Sequence, residues 1–580
     1  MGKKLSILVF VSSIVLFSIF SGAKYYNVSS DEWRMVDYIS RIAGVAGPSS
    51  FGPVGEDQLL LSLERSEKNG APKGLVDAAR AKIINRYPFY RDDYGTIGLS
   101  LSLNPEVYLQ TNGGDMSIPP FDYDSDWFIR EYRDRPDTLS ITLENTIGDF
   151  LYSRFVLPLR EKQETYDYYW KDGFHVSLQS MAPFQNFPLD AGISLNSKGL
   201  SLIIGRGKVS LGEGKTGNTA IGDNYDYQEF MKLGFNTRNT GVFLNLTSFD
   251  SGRKTINDSN HVVNVPYRVQ NSKFSGYREL RHSVDYEMTL FDKAKFSLSF
   301  ITLFDTDTAF DFRYLNPFMI MHNMFNYHED SVLEGNNMIT LDVSWNIAKG
   351  FRLYFQTTMD QYQAKAEAEG YFRDYNYVDP NAFAFLLNLS YTEVLREGIL
   401  SLFVESVYTA PGMYLNQKYY DSNGSVTQIK TSDPCWSQDF LLGYNRTETP
   451  RYDGDMAFSG YIYGPDAIVF AFGGEYFLLD KLDIASRVFY MAHGEKGRGD
   501  AIDNYNFSSI EDLETINRLS PTGVVEHTFV VKTECNWILS EFVSIYGGIA
   551  YSYRWNYRNE NGRNVGNLQT AFGMKLNVEL

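Results

Sequence analysis

Apolar and polar residues alternate with a period of two along most of this chain. In the last stretch, Asn567 to Leu580, one face carries Leu568, Thr570, Phe572, Met574, Leu576, Val578 and Leu580. The other carries Gln569, Ala571, Gly573, Lys575, Asn577 and Glu579. A strand turns successive side chains to opposite sides, so this pattern predicts a strand with one greasy and one wet face. The same design recurs upstream from about Tyr94. Val284, Tyr286, Met288 and Leu290 lead through Asp292 to Lys295 into Phe296, Leu298 and Phe300, and Ile339 to Ile347 lead through Lys349-Gly350 into Phe351, Leu353 and Phe355. Further hairpins are predicted around Arg396-Glu397-Gly398, Asp480-Lys481 and Ser540-Glu541.

Between the hairpins lie long polar stretches: Ser251 to Lys273, Asp305 to Asn336, Gln361 to Asp379, Pro411 to Gln438 and His493 to Arg518. Short turns alternating with long loops, on two-faced strands, are the signature of an outer-membrane barrel, where short turns face the periplasm and long loops the outside. The fold class predicted is all-β transmembrane: a large antiparallel outer-membrane β-barrel closed by its C-terminal strand. An even strand number, on the order of 16 to 20, fits the length.

The first 88 residues follow another pattern. Lys3 and Lys4, an apolar run from Leu5 to Phe20 and the small residues Ser21-Gly22-Ala23 predict a signal peptide over residues 1–23. Ser30 before Asp31 and Glu32 predicts a helix start, with Trp33, Val36, Tyr38, Ile39 and Ile42 at helical spacing up to Gly44. A second helix is predicted from Glu56 to about Lys68 and a third between Pro72 and Pro88. Residues 24–88 thus read as a small periplasmic helical bundle, and residues 89–580 as the barrel.

The 41 Tyr and 41 Phe occur without a long apolar run beyond the N-terminus, which alternating strands explain. A net charge of -18 opposes nucleic acid as a partner. Cys435 and Cys535 do not read as a disulfide pair, one lying in a polar loop and the other on an apolar strand face. The seven His are scattered, His322 and His328 being the nearest approach to ligand spacing, and no metal or cofactor is expected. No Gly-x-Ser-x-Gly elbow is present, and nothing in the spacing of Glu213 and Asp223 sets the carboxyl separation that a glycosidase needs. The expectation is a monomeric, non-enzymatic protein of the cell outer membrane, partnered by its lipid.

One segment departs from the strand rhythm. Ser201 to Asn224 crowds Gly205, Gly207, Gly212, Gly214, Gly217 and Gly222 among Arg206, Lys208 and Lys215. Gly212 to Thr216 resembles part of a nucleotide phosphate loop, but Val209 stands where the first Gly is required. Glycines also let a loop fold inward at a barrel wall. The candidate ligand-binding residues are Arg206, Lys208, Gly212, Gly214, Lys215, Asn218 and Asp223. Two readings stay open. Lumen cations beside Glu213, Asp223 and Asp226 form an ion-pair network that rigidifies an inward loop, or they recognise an anionic glycan.

Ile203 to Phe235, with Gly205-Arg206, Leu211-Gly212-Glu213-Gly214, Gly217-Asn218, Asp223-Asn224 and a returning strand at Phe230, resembles a region of the Wzi-type capsule-assembly outer-membrane protein family. Arg313 to Pro317 followed by Met321-His322-Asn323 resembles a second family segment. Two positions depart: Leu211 replaces an expected Trp, and Glu213 stands where Pro is usual. The resemblance implies a barrel of about 18 strands with helices at its periplasmic end, and binding or anchoring of extracellular polysaccharide. Tyr371, Phe372, Tyr375 to Tyr377, Tyr414, Tyr419, Tyr420 and Trp436 are the loop aromatics suited to sugar rings. A porin-like diffusion channel and a surface adhesin are the alternatives.

Overall fold

The computed structural model describes residues 23–84, 90–111, 136–161, 173–178, 181–183, 190–197, 199–224, 227–249, 253–258, 261–266, 278–306, 312–318, 332–362, 364–366, 369, 381–414, 441–445, 454–479, 481–495 and 520–579. Residues 1–22 of the expected signal peptide, Cys435, Asp226, His322, His328 and the loop aromatics other than Tyr414 lie outside these.

Eighteen antiparallel strands close into a barrel. They are β1 (Gly95–Leu103, continued by Glu106–Gln110), β2 (Leu139–Ile147), β3 (Leu151–Glu161), β4 (Met181–Pro183 and Ala191–Ser197), β5 (Leu200–Gly207) and β6 (Gln228–Asn236). After these come β7 (Thr240–Phe249), β8 (Arg278–Leu290), β9 (Ala294–Thr306), β10 (Val332–Ala348), β11 (Phe351–Gln361) and β12 (Ala382–Leu395). The last six are β13 (Gly398–Thr409), β14 (Ala467–Leu478), β15 (Leu482–His493), β16 (Glu526–Ser540), β17 (Val543–Trp555) and β18 (Val565–Glu579). Phe174–Val176 extends the β2 side of the ladder against the end of β1.

Closure runs through β18, as the terminal pattern predicts. Leu576 to Glu579 pair with Leu103 to Ser100, and Gln569 to Gly573 pair with Gln110 to Glu106. The break falls at Asn104-Pro105, since proline has no N–H to give the ladder. Phe572 is 57% exposed on the outer wall, while neighbouring Ala571 is fully buried inside. The two faces follow the alternation throughout, with Phe470 and Phe472 outward and Val469 and Ala471 inward. Cys535 is an exposed free thiol on the outer face. Strands also enter stretches read as loop: Arg253–Asp258 pairs with His261–Pro266 inside Ser251 to Lys273. β10 starts at Val332, inside Asp305 to Asn336, because its backbone continues to pair with β9 after the apolar alternation has stopped.

Three helices precede the barrel: α1 (Asp31–Ala43), α2 (Glu56–Lys68) and α3 (Lys73–Ile84). Ser30 Oγ accepts from the Trp33 N–H at 3.2 Å, and Gly44 ends α1 at φ 74°, as the capping residues predict. Their apolar stripes, including Val36, Ile39, Leu59, Leu63, Val76 and Ile83, share one core that also takes in Phe477 of the barrel wall. Among the described residues no helix is long and apolar enough to cross a membrane. The helices sit at the short-turn end: the Ala46 N–H donates to Asp292 O at 2.8 Å, and the Gly350 N–H to Arg41 O at 2.8 Å.

Candidate functional site

The lumen is filled from both ends. From the short-turn end, α1 and the segment after it enter the barrel mouth. Arg41 donates to Ser390 Oγ at 2.8 Å, Ser49 to Glu287 Oε1 at 2.6 Å, and the Lys295 ammonium to Pro48 O at 2.6 Å. From the long-loop end, the connection between β5 and β6 folds inward. The two meet at an isolated antiparallel bridge between Phe51 and Leu211, closed by Gly52 N–H to Ser210 O (2.9 Å) and Gly212 N–H to Ser50 O (3.1 Å). Phe51, Val209, Leu211, Ala220 and Ile221 are buried, so the middle of the barrel is an apolar plug.

The polar residues of the loop find partners on the wall, as buried polar groups must. Glu405 accepts from the Lys215 N–H (2.8 Å), the Thr216 N–H (2.7 Å), the Thr216 hydroxyl (2.7 Å) and Asn388 Nδ2 (2.9 Å). The run that resembled a phosphate loop is therefore an anion cradle, and its anion is a carboxylate of the same chain. Thr219 donates through its N–H (2.6 Å) and hydroxyl (2.8 Å) to Gln356 Oε1. Gly212 adopts φ 133°, and a Cβ there would lie 2.3 Å from Asn218 Oδ1. That oxygen accepts the Gly214 N–H at 2.9 Å and folds the loop on itself.

Charges tie the two plugs together. Glu213 lies 3.2 Å from Lys295 Nζ and 3.1 Å from Arg352 Nη1. Arg352 also pairs with Asp37 of α1, and Asp37 lies 2.6 Å from Arg41. Burial alone would raise the Asp37 carboxyl, but Arg352 and Arg41 outweigh it and hold it down at about 2. Glu213 is likewise lowered, burial being overcome by Lys295 and Arg352.

A cavity of about 400 Å³ remains beside this plug, between the inward loop, the start of α1 and the wall of β15 and β16. Gly212, Gly214, Lys215, Asn218 and Asp223 of the predicted set line it. Arg206 and Lys208 do not. Arg206 shares the outward phase of β5 with exposed Ile204, stacks on Tyr227 and bonds Glu229 through Nε at 2.6 Å. Lys208 is exposed, its ammonium 3.3 Å from Asp223 O. The expectation that all three cations share the lumen face is thus corrected: the period-two phase of Ile203 and Ile204 sends Arg206 outside. Tyr414 is also reassigned from a surface aromatic to the buried plug, where its hydroxyl donates to Thr219 O at 2.7 Å. Sequence reading missed Arg487, Lys532, Trp33, Arg34 and Phe489 of the lining. The signal for the two wall cations was available, since both fall on the polar phase of their strands.

No protein-family model matches this sequence, and comparison with curated proteins finds no match. Solved structures do match. Wzi, an outer-membrane protein involved in group 1 capsule assembly in Escherichia coli and described as a carbohydrate-binding β-barrel, aligns at a TM-score of 0.52 with 11% identity, covering 96% of this chain and 99% of that one. OprD of Pseudomonas aeruginosa aligns at 0.36 with 8% identity, covering 83% of this chain and 94% of that one. The channel DcaP of Acinetobacter baumannii aligns at 0.35 with 8% identity, covering 85% and 100%. At such identities the likeness is one of fold, and this chain is an outer-membrane β-barrel.

Proposed function

We propose that this barrel binds or anchors extracellular polysaccharide at the cell surface, that it is not an open diffusion channel, and that it catalyses no reaction. The observation that carries the reading is the Phe51–Leu211 bridge, where a plug from one end of the lumen is stitched to a loop from the other. A diffusion pore needs a continuous aqueous path, and buried, hydrogen-bonded segments inside the lumen support the reading against one. Wzi, which shares this fold, is described as a carbohydrate-binding β-barrel, and that supports the polysaccharide reading.

The test is deletion of the gene, followed by measurement of cell-bound and shed polysaccharide. Loss of the bound fraction with unchanged total synthesis is expected. Equal bound fractions in mutant and wild type, together with steady large ohmic steps from the pure protein in planar bilayers, would replace this reading with the channel. Surface retention unchanged and no conductance would leave an adhesin.

A further inference from the structure

We propose that the lumen cavity is a subsite for a carboxylate-bearing sugar, a uronic acid residue, held by Arg487 with Lys532 and Lys215. The inference rests on the polysaccharide reading above and names the chemistry of the unit recognised.

Arg487 of β15 and Lys532 of β16 are register partners, and both line the cavity. Like charges set directly opposite on neighbouring strands repel each other. Lys532 leans to Glu534 at 3.0 Å. Arg487 has no carboxylate within ion-pair distance among the described residues, and its guanidinium lies 5.9 Å from the centroid of the Phe403 ring. Lys215 Nζ, on the inward loop, stands 6.0 Å from the same ring centroid. Three cations from three elements therefore converge on one part of the wall.

The other charges of the cavity are answered within the protein. Arg34 pairs with Asp483 and Glu475, Arg41 with Asp37, Lys215 with Glu475 at 3.7 Å, and Glu213 with Lys295 and Arg352. Asp223 is the exception: Lys208 reaches only its backbone oxygen, at 3.3 Å, and its carboxylate has no ion pair among the described residues. Of the cations that line the cavity, the one without an ion pair among the described residues is the Arg487 guanidinium. Its planar fork matches the two oxygens of a carboxylate, and one unmatched positive charge suits that group better than a phosphate monoester carrying about -1.5 to -2. Around the cations stand the amide of Asn218 and the rings of Tyr463 and Phe489. Amides and aromatic faces are what a sugar ring meets in a binding pocket.

The experiment is calorimetric titration of the full chain in detergent with a galacturonate trisaccharide, a galactose trisaccharide and inorganic phosphate. Wild type, Arg487→Gln, Arg487→Lys and Lys532→Gln are compared, each first shown to be folded by heat-modifiable migration. The acidic trisaccharide is expected to bind about tenfold or more tightly than the neutral one. That preference should vanish in R487Q, survive in part in R487K and weaken in K532Q. Should R487Q not fold, R487K and K532Q carry the comparison. An acid preference that is absent in wild type or untouched by all three variants overturns the inference, as does phosphate binding as tightly as the uronate. If neutral binding and cell-surface retention persist in that case, only the uronate assignment fails. If no saccharide binds and retention does not depend on the protein, the polysaccharide reading fails with it.

Discussion

The Arg352 guanidinium stands 3.1 Å from the Glu213 carboxylate, joining the barrel wall to a loop that descends from the long-loop end of the lumen. The same Nη1 pairs with Asp37 of α1, which enters from the other end. One wall residue thus holds both plugs, and neither can leave without uncovering a buried charge.

Removing one carboxylate should loosen the assembly. Glu213→Gln leaves Lys295 and Arg352, both almost fully buried, short of a counter-charge. Breaking a buried pair from one side costs about 3–5 kcal/mol. The expected outcome is a lower heat-denaturation midpoint in detergent and the appearance of transient conductance steps in planar bilayers. A silent E213Q trace with an unchanged midpoint would remove Glu213 from the clamp.

Acid should act on the same clamp. Asp37, held at about 2 in the fold, has an ordinary aspartate value near 4 when unfolded. Its depressed value means that the stabilisation is fully present above about pH 4 and drains away as pH falls toward 2. Glu213, also lowered, adds in the same direction. Between pH 4.5 and 2.5 the denaturation midpoint of wild type should fall more steeply than that of Asp37→Asn. Parallel curves would show that Asp37 is not the group that titrates.

How legible all this was in the sequence depended on the range of the interaction. Period-two alternation and capping residues act between neighbours, so the closing strand at Leu568 to Val578, the hairpin at Lys349-Gly350 and the start of α1 at Ser30 could be read directly. Glycines at 212 and 214 announced an inward loop, because no local strand requirement explains them. Which wall residues that loop meets was hidden. Glu405 and Gln356 lie 189 and 137 residues away from Thr216 and Thr219, and nothing in the intervening chain encodes the pairing. Arg206 was misplaced by a finer failure: glycines on both sides obscured a phase that Ile203 and Ile204 settle.

The outer wall can be tested at a single residue. Phe572 of β18 is 57% exposed on the face that meets lipid. An arginine on the lipid face of a barrel costs about 2–4 kcal/mol near the bilayer midplane. Phe572→Arg should lower folding yield into lipid vesicles and the stability of the inserted form, while Phe572→Leu should do neither. Equal insertion of both variants would place this strand away from lipid.

Asp57 should behave in the opposite sense to Asp37. It lies in the first turn of α2, and its Oδ1 has no hydrogen-bond partner among the described residues. Burial pushes its carboxyl up to about 6, against backbone N–H groups that lower it. A raised carboxyl means that the folded chain holds a proton which the unfolded chain releases between about pH 4 and 6. Stability is therefore lost as pH rises through that window and stays lower above it. Neutral asparagine escapes the cost, on the order of 3 kcal/mol. Asp57→Asn should raise the denaturation midpoint at pH 7.5 and bring no gain at pH 4. A gain of equal size at both values would mean that packing or hydrogen bonding, and not the buried charge, sets the effect of this side chain.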